Sequence, residues 1–247
     1  VEQAAGRVPI MAGCGANSTA EAIELAKFAK KVGADCQLQV VPYYNKPTQE
    51  GLFQHFKAVA DSTRCKIILY SVPGRCGIDI PVEVTVRLAA ACPNVVSLKE
   101  AGGSVERVNQ LMAAVPEGFT ILSGDDSLTL PFMSVGATGV ISVAGNLIPR
   151  QLRDLVNAAL VNDLPAARAL HLKYYPLLST LMKLDSNPVP IKAATNMPMT
   201  SAVSSDAMSR AATIAGWPGN ATEVATSTTG LIAGALSMNA SAAGPAA

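Results

Sequence analysis

Residues 66–71 read KIILYS and residues 94–99 read NVVSLK, and these two stretches decide the fold. Each is a short and nearly continuous apolar run, which is typical of a parallel strand buried on both faces. Such strands occur in (β/α)8 barrels, also called TIM barrels, and in doubly wound sheets. A dinucleotide-binding doubly wound sheet is disfavoured, because GCGANS at residues 13–18 supplies only two glycines of the G-x-G-x-x-G pattern.

The same pattern recurs along the chain and predicts six βα units. The other four strand candidates are VPIMAG (8–13), CQLQVV (36–41), FTILSG (119–124) and TGVISV (138–143). Helices are predicted between the strands, because suitable first residues precede the amphipathic stretches: Asn17 or Ser18, Thr48, Pro81 and Ser104. After the sixth strand the pattern is helical, over residues 149–160, 164–182 and about 206–215.

Composition narrows the class of function. The 247 residues are 49% hydrophobic and 15% charged, which favours one large folded domain over disorder. The net charge is +1 and only 4% of the residues are aromatic, so neither a basic surface nor a set of base-stacking rings is available for nucleic acid. A small molecule is therefore the predicted partner.

The cysteines and the chain ends predict a compartment. Five cysteines are scattered without a C-x-x-C pair, which favours reduced thiols in a bacterial cytoplasm or a plastid. Only two histidines are present, so a His-rich metal site is not expected. Residues 1–7 lack the pattern of a signal peptide, and residues 211–247 are too polar for a membrane span. We predict no membrane association.

Lys99 is the most informative candidate for chemistry, because it follows a buried strand at the end where barrel enzymes place catalytic groups. Burial would lower its pKa and provide a neutral amine for Schiff-base formation with a carbonyl substrate. The alternative is a lysine that leaves the sheet for solvent. Tyr70 ends the preceding strand, so its phenol is expected beside Lys99 as a proton relay, or else as a core tyrosine.

Other strand ends carry further candidates. Arg75 lies in the turn SVPGRCG (71–77), where it would bind a substrate carboxylate or remain an exposed loop arginine. The adjacent Tyr43 and Tyr44 between prolines favour an interface over catalysis. In SGDD (123–126), Asp126 is predicted to cap the helix that follows, and Asp125 to hold hydrogen bonds of the site.

Several long motifs in one order resemble the 4-hydroxy-tetrahydrodipicolinate synthase family, formerly dihydrodipicolinate synthase. They are GCGANSTAEAI, VVPYYNKPTQEGLFQHFKAVA, ILYSVPGRCG, VVSLKEAGGSVERV, LSGDDSLTLPFMSVGATGVISV and NPVPIK. The match runs from about Gly6 to Lys192 and more weakly to Trp217. The resemblance implies a TIM barrel and a lyase of lysine and diaminopimelate biosynthesis, in which a pyruvate Schiff base condenses with aspartate semialdehyde.

The resemblance also implies residue roles. Lys99 matches the Schiff-base lysine, Tyr70 matches a tyrosine of the hydroxyl relay, and Tyr44 matches the relay tyrosine that crosses a subunit interface. Arg75 matches the arginine that receives the carboxylate of the semialdehyde, and Ile141 matches a residue whose carbonyl lines the pocket. A homodimer or homotetramer and the absence of any cofactor are implied as well, because the intermediate is a covalent Schiff base.

A regulatory site is implied by the same resemblance. Asn17, Glu21 and Tyr43 match three positions with which lysine-inhibited members of the family bind lysine near the interface. Feedback inhibition by lysine is therefore a hypothesis for this chain.

The chain departs from the family pattern in two regions. It begins about sixty residues into the pattern, so two strands and a Gly-Thr-Thr-Gly-Glu loop are absent, and a segment before MPMT is shorter. We therefore predict a truncated barrel of six strands over residues 1–160, a helical region over 161–217 and a flexible tail over 218–247. Two alternatives stay open: a pyruvate-dependent sugar-acid aldolase such as N-acetylneuraminate lyase, and a catalytically inactive fragment.

Overall fold

The computed structural model describes residues 1–195, and its centre is one six-stranded sheet. All neighbouring strands are parallel, and their spatial order is their order along the chain. Short helices connect the strands, which is the arrangement of an incomplete (β/α)8 barrel. The strands are β1 (Met11–Gly13), β2 (Cys36–Val40), β3 (Lys66–Ser71), β4 (Val95–Glu100), β5 (Thr120–Ser123) and β6 (Gly139–Val140).

Several of the predicted helices begin at or next to the predicted residues. Ser18, Thr48 and Ser104 each accept a hydrogen bond from a backbone N–H in the first turn of the helix that follows. The α-helices are α1 (Thr19–Lys31), α2 (Gln49–Ser62), α3 (Pro73–Cys76), α4 (Val82–Ala91), α5 (Val105–Ala114), α6 (Thr129–Met133), α7 (Pro149–Leu160), α8 (Leu164–Leu184) and α9 (Val189–Thr195). Residues 1–195 also contain three single 3₁₀ turns, at Glu2–Ala4, Asp126–Leu128 and Ala144–Asn146.

The core lies between the sheet and its helices. Ile67, Ile68 and Leu69 are consecutive in β3 and all are buried, as expected for a strand covered on both faces. Apolar residues of α2, α4 and α5 pack on this strand and on β4, and Phe56, Leu88 and Leu111 are among them. A second cluster joins α7, α8 and α9 and includes Leu152 and Leu178.

The strand and helix predictions are largely confirmed, with differences at the ends. The first and sixth strands are shorter than predicted, since only Met11–Gly13 and Gly139–Val140 form ladder bonds. The segment 71–77 was expected as a turn, but Pro73–Cys76 forms one helical turn that Gly77 ends at φ +71°. The predicted helix near 206–215 and the tail at 218–247 lie outside the described residues, and the domain division at residue 160 stays a prediction.

Within residues 1–195, none of the helices has the length and apolarity needed to cross a lipid bilayer. All five cysteines are free and buried, which agrees with the expectation of reduced thiols.

Truncation of Leu98 in β4 tests the two-sided burial of the sheet. Leu98 is 0% exposed, so Leu98→Ala removes packed methyl groups and is expected to lower the free energy of unfolding by about 2–5 kcal/mol. The matched control is Leu172→Ala on α8, where the side chain is 63% exposed and the expected change is within about 0.5 kcal/mol. Urea unfolding measures both, and equal losses for the two variants would contradict the described core.

Candidate active site

Lys99 lies near the carboxyl end of β4 and is 8% exposed. The residue opposite it on β3 is Tyr70, and the Lys99 Nζ lies 4.2 Å from the centroid of the Tyr70 ring. The two side chains therefore come together across one strand spacing, as the sequence predicts. The amine lies over the face of the ring, a contact that favours a positive charge through the ring quadrupole.

Burial has a larger effect on Lys99 than its charged neighbours. Loss of hydration lowers the pKa of Lys99 from 10.5 to about 8, while the carboxylates of Asp126 and Asp125 oppose this and Arg75 adds to it. At pH 7, about one amine in ten is then neutral, against roughly one in three thousand at the ordinary pKa. A neutral amine is the nucleophilic form, so the site prepares Lys99 to attack a carbonyl group.

Tyr70 is placed as a proton donor. Burial raises the pKa of its phenol, and the nearby Arg75 only partly opposes this. The hydroxyl group therefore keeps its proton at neutral pH and can donate it to a reacting oxygen. The relay function of Tyr70 stays a prediction, but the structure brings its ring into contact with the candidate nucleophile.

Gly124 makes room for the Lys99 side chain, a feature that sequence reasoning missed. A Cβ atom at this position would lie 3.0 Å from the Lys99 Cε and 2.6 Å from the Ala101 Cβ. The backbone also comes close, because the Gly124 N–H donates to the Glu100 carbonyl at 2.7 Å. The glycine of SGDD is visible in the sequence, but the pattern alone does not show that the Lys99 side chain packs against it.

Of the two aspartates of SGDD, Asp126 has a different partner from the one predicted, and the role of Asp125 stays a prediction. The buried Asp126 carboxylate accepts hydrogen bonds from the N–H groups of Val143 at 3.1 Å and Ala144 at 2.8 Å. It thus caps the 3₁₀ turn Ala144–Asn146 after β6, and the expected cap of the helix beside it is wrong. Burial and the neighbouring Asp126 raise the pKa of the Asp125 carboxyl, whereas Lys99 lowers it.

Ile141 follows β6 directly. Its N–H donates to the Ser123 carbonyl at 2.9 Å, which holds it beside the end of β5. Ile141 is therefore at the same edge of the sheet as Lys99. Whether its carbonyl lines a substrate pocket stays a prediction.

Arg75 occupies the single helical turn α3, directly after the strand that carries Tyr70. Its guanidinium is exposed, and Nη1 donates to the Asn187 carbonyl at 3.2 Å. Its positive charge lowers the pKa of both Lys99 and Tyr70. The positively charged guanidinium of Arg75 therefore lies near the Lys99 amine and the Tyr70 phenol, where it could bind the carboxylate of a substrate.

Tyr43 and Tyr44 form an exposed pair after β2, as predicted. Tyr44 is 89% exposed and has φ +73°, a left-handed conformation that costs energy for a residue with a side chain. Within this chain, Tyr44 therefore stays outside the buried cluster around Lys99.

Two of the predicted lysine-site residues, Asn17 and Glu21, lie just before or within the first turn of α1. The Asn45 Nδ2 donates to the Asn17 carbonyl at 3.1 Å, which links the tyrosine loop to the residues before α1, and Glu21 lies in the first turn of that helix.

An ion-pair network beside Lys99 was also missed. Glu100 is fully buried, and its carboxylate pairs with Arg107 at 2.9 Å. A lone Glu after a strand-end lysine and an Arg on the next helix carry no recognisable spacing signal.

As for metal binding, the part of the chain that the structure describes holds no cluster of three His, Cys, Asp or Glu side chains suited to an ion.

Comparison with known proteins identifies the family. The model of the dihydrodipicolinate synthetase family matches residues 1–208. The chain belongs to this family. Its resemblance to 4-hydroxy-tetrahydrodipicolinate synthases is thereby confirmed at the level of the family.

Individual members of the dihydrodipicolinate synthetase family are similar in sequence to most of this chain. The 4-hydroxy-tetrahydrodipicolinate synthase of Sulfurihydrogenibium sp. (strain YO3AOP1) is 53% identical over 188 residues, which are 76% of this chain and 64% of that protein. The chain spans about 65% of the length of the curated relatives that it matches.

Solved structures of the family confirm the barrel. The 4-hydroxy-tetrahydrodipicolinate synthase from Methylacidiphilum fumariolicum SolV superposes with a TM-score of 0.78 at 55% identity, covering 79% of this chain and 65% of that one. A dihydrodipicolinate synthase from Acinetobacter baumannii, solved in complex with pyruvate, has a TM-score of 0.78 at 40% identity. That match covers 87% of this chain and 77% of the other.

The pKa of Lys99 predicts a measurable titration. Because burial lowers this pKa to about 8, the side-chain nitrogen is expected to lose its proton with a midpoint near pH 8. Nitrogen-15 NMR of the Lys99 Nζ follows the titration, and the resonance is assigned by its disappearance in Lys99→Ala. A midpoint at the ordinary lysine value would contradict the desolvated site.

Proposed function

We propose that this chain carries the reaction of a class I lyase, the condensation of pyruvate with aspartate semialdehyde to 4-hydroxy-tetrahydrodipicolinate. The single observation that carries the proposal is the buried Lys99 amine, held over Tyr70 at the carboxyl end of β4. Membership of the dihydrodipicolinate synthetase family supports the choice of pyruvate as the keto acid. The names of the relatives support the semialdehyde as its partner.

The proposed chemistry uses groups of the chain alone. The neutral Lys99 Nζ adds to the keto carbon of pyruvate, and the keto oxygen leaves as water, so that an iminium forms. Loss of a methyl proton gives an enamine, whose terminal carbon attacks the aldehyde carbon. The aldehyde oxygen takes up a proton, for which the phenol of Tyr70, whose ring the amine contacts, is the proposed donor. The amino group of the semialdehyde then attacks the iminium carbon and displaces the Lys99 amine, so that the ring of 4-hydroxy-tetrahydrodipicolinate closes and Lys99 is freed. No redox step occurs, and no cofactor or metal ion is needed.

Arg75 favours the semialdehyde over a sugar acid. Its guanidinium stands near Lys99 and Tyr70, and a planar fork of donors suits a carboxylate carried by the second substrate. The family resemblance implies that N-acetylneuraminate lyase and similar aldolases, which share the lysine, usually lack an arginine in this segment. We therefore assign the aldehyde carboxylate to Arg75 and set the aldolase alternative second.

The exposed tyrosine pair supports a homo-oligomer as part of the same proposal. Tyr44 is 89% exposed in the single chain and has φ +73°, a left-handed conformation that costs energy for a residue with a side chain. In a dimer or tetramer it would enter the site of a second copy as the outer relay hydroxyl. Inhibition by lysine through Asn17, Glu21 and Tyr43 and a cytoplasmic or plastid location stay predictions.

Trapping with borohydride tests the lysine. Incubation with pyruvate followed by reduction is expected to leave the reduced adduct on Lys99, mapped by mass spectrometry of the digested protein, because only a neutral amine forms the imine. Lys99→Ala is the control for other lysines. A folded chain without an adduct at Lys99 would support the inactive-fragment alternative and reject the proposal.

Replacement of Arg75 tests the second substrate. Arg75→Met is expected to lower kcat/KM for aspartate semialdehyde about 10- to 100-fold, the cost of a lost charge-assisted hydrogen bond, while pyruvate labelling of Lys99 persists. Cleavage of N-acetylneuraminate is measured on the same preparations. Faster turnover of the sugar acid than of the semialdehyde by the unchanged chain would favour the aldolase instead.

A further inference from the structure

Arg107 makes hydrogen bonds in three directions behind the candidate site. Its Nε donates to the Glu100 Oε2 at 2.9 Å, its Nη1 donates to the Asp79 Oδ2 at 3.2 Å, and its Nη2 donates to the Ile80 carbonyl. The Arg107 side chain is 15% exposed, and Glu100 is 0% exposed. One guanidinium on α5 therefore connects the end of β4 to the residues just before α4.

Glu100, which directly follows Lys99 in β4, extends the network of Arg107. Consecutive strand residues face opposite sides of a sheet, so Glu100 points away from the Lys99 amine. Its Oε1 accepts a hydrogen bond from the Gly102 N–H at 2.7 Å, which fixes the loop after β4. A Cβ atom at Gly102 would lie 3.5 Å from the Pro73 Cγ, so this loop lies beside the first residue of α3.

The segment that carries Arg75 is therefore held at both of its ends. At its start, the Ala101 N–H donates to the Ser71 carbonyl at 2.9 Å. At its end, the Ile80 N–H donates to the Ser71 Oγ at 3.3 Å, and the Ile80 carbonyl accepts from Arg107. The segment 71–80 is thus closed on itself and fastened to β4 and α5.

We propose that Arg107 and Asp79 are positioning residues that set where the Arg75 guanidinium stands relative to the Lys99 amine. By this role they determine the preference of the site for an aldehyde that carries a carboxylate. The inference rests on the proposed function, in which Lys99 bonds to the keto carbon of pyruvate and Arg75 binds the carboxylate of the aldehyde. It adds two residues that touch neither substrate.

The direction of the contacts distinguishes positioning from simple stabilisation. Neutralising the buried Glu100 would require only the contact with the Arg107 Nε. The two remaining contacts reach Asp79 and Ile80, four and five residues after Arg75 and on the same short segment. The guanidinium reaches the three acceptors from three separate nitrogens, whereas a lysine at position 107 would offer its donors from a single nitrogen.

A pair of aldehydes measures this preference without turnover. Succinic semialdehyde and butanal have chains of equal length, and only the first carries a carboxylate. Each is incubated with the full chain and reduced with borohydride, and the adduct at Lys99 is measured by mass spectrometry. The ratio of the two yields reports the placement of Arg75, while the butanal yield alone reports whether Lys99 is reactive. The ratio measured for Arg75→Met is the reference value for a site without the guanidinium.

The decisive variant is Asp79→Ala, with Glu83→Ala as its matched control. Both remove one carboxylate near Arg107, but only Asp79 bonds to it. Positioning predicts that Asp79→Ala lowers the ratio about three- to tenfold, with an unchanged butanal yield, and that Glu83→Ala does not lower it. Loss of negative charge alone would raise the ratio for an anionic aldehyde, so charge and position predict opposite signs.

Arg107→Lys is the second variant, because it keeps the charge and removes the fork. Its ratio is expected to fall as in Asp79→Ala, and unfolding in urea checks that it folds. An unchanged or increased ratio in Asp79→Ala overturns the inference, as does a wild-type chain without preference for the carboxylate. Pyruvate labelling of the wild type is read separately: its failure rejects the proposed function, whereas its success with an unaltered aldehyde ratio rejects only the positioning role.

Discussion

The parallel hydrogen bonds between β3 and β4 place Tyr70 directly opposite Lys99, and the rest of the site depends on this register. The register contains an irregularity: Ile67 pairs with Val95, but the next residue, Ile68, pairs with Ser97. One extra residue is thus accommodated in β4. Without this extra residue, regular pairing would place Tyr70 opposite the fully buried Leu98. The Lys99 amine would then not lie opposite the Tyr70 ring. Such bulges commonly aim a side chain at a site.

The same site shows why burial and not charge governs the lysine. Two carboxylates lie near Lys99, and each would stabilise an ammonium ion, yet the pKa falls to about 8. Asp126 opposes the lowered pKa more than Asp125 does, but burial outweighs both carboxylates. The lowered pKa corresponds to a cost of about 3 kcal/mol for charging the amine. The fold bears this cost because the strands around Lys99 are buried on both faces.

Local patterns in the sequence were sufficient for the strands, the helix starts and the two central residues. Apolar runs reveal a strand buried on both faces, and a polar residue that ends such a run stands out, as Lys99 and Tyr70 do. The bulge in β4, the partners of Asp126 and the network of Glu100 were not predictable in this way. Each depends on a contact between segments distant in sequence, and Asp126 meets its N–H donors 17 and 18 residues further on.

Successive side chains of β4 point to opposite faces of the sheet, so its two faces have different roles. Lys99 faces the site, while Glu100, its neighbour, joins Arg107 and the loops on the other side. By the proposed positioning role, a change on the outer face acts on Arg75 through the segment 71–80, while burial, the main cause of the lowered Lys99 pKa, is kept. Because only the carboxylate of the second substrate would meet Arg75, its choice can vary independently of the Schiff-base chemistry. This separation gives a physical reason for one lysine-bearing barrel to serve relatives that accept different aldehydes.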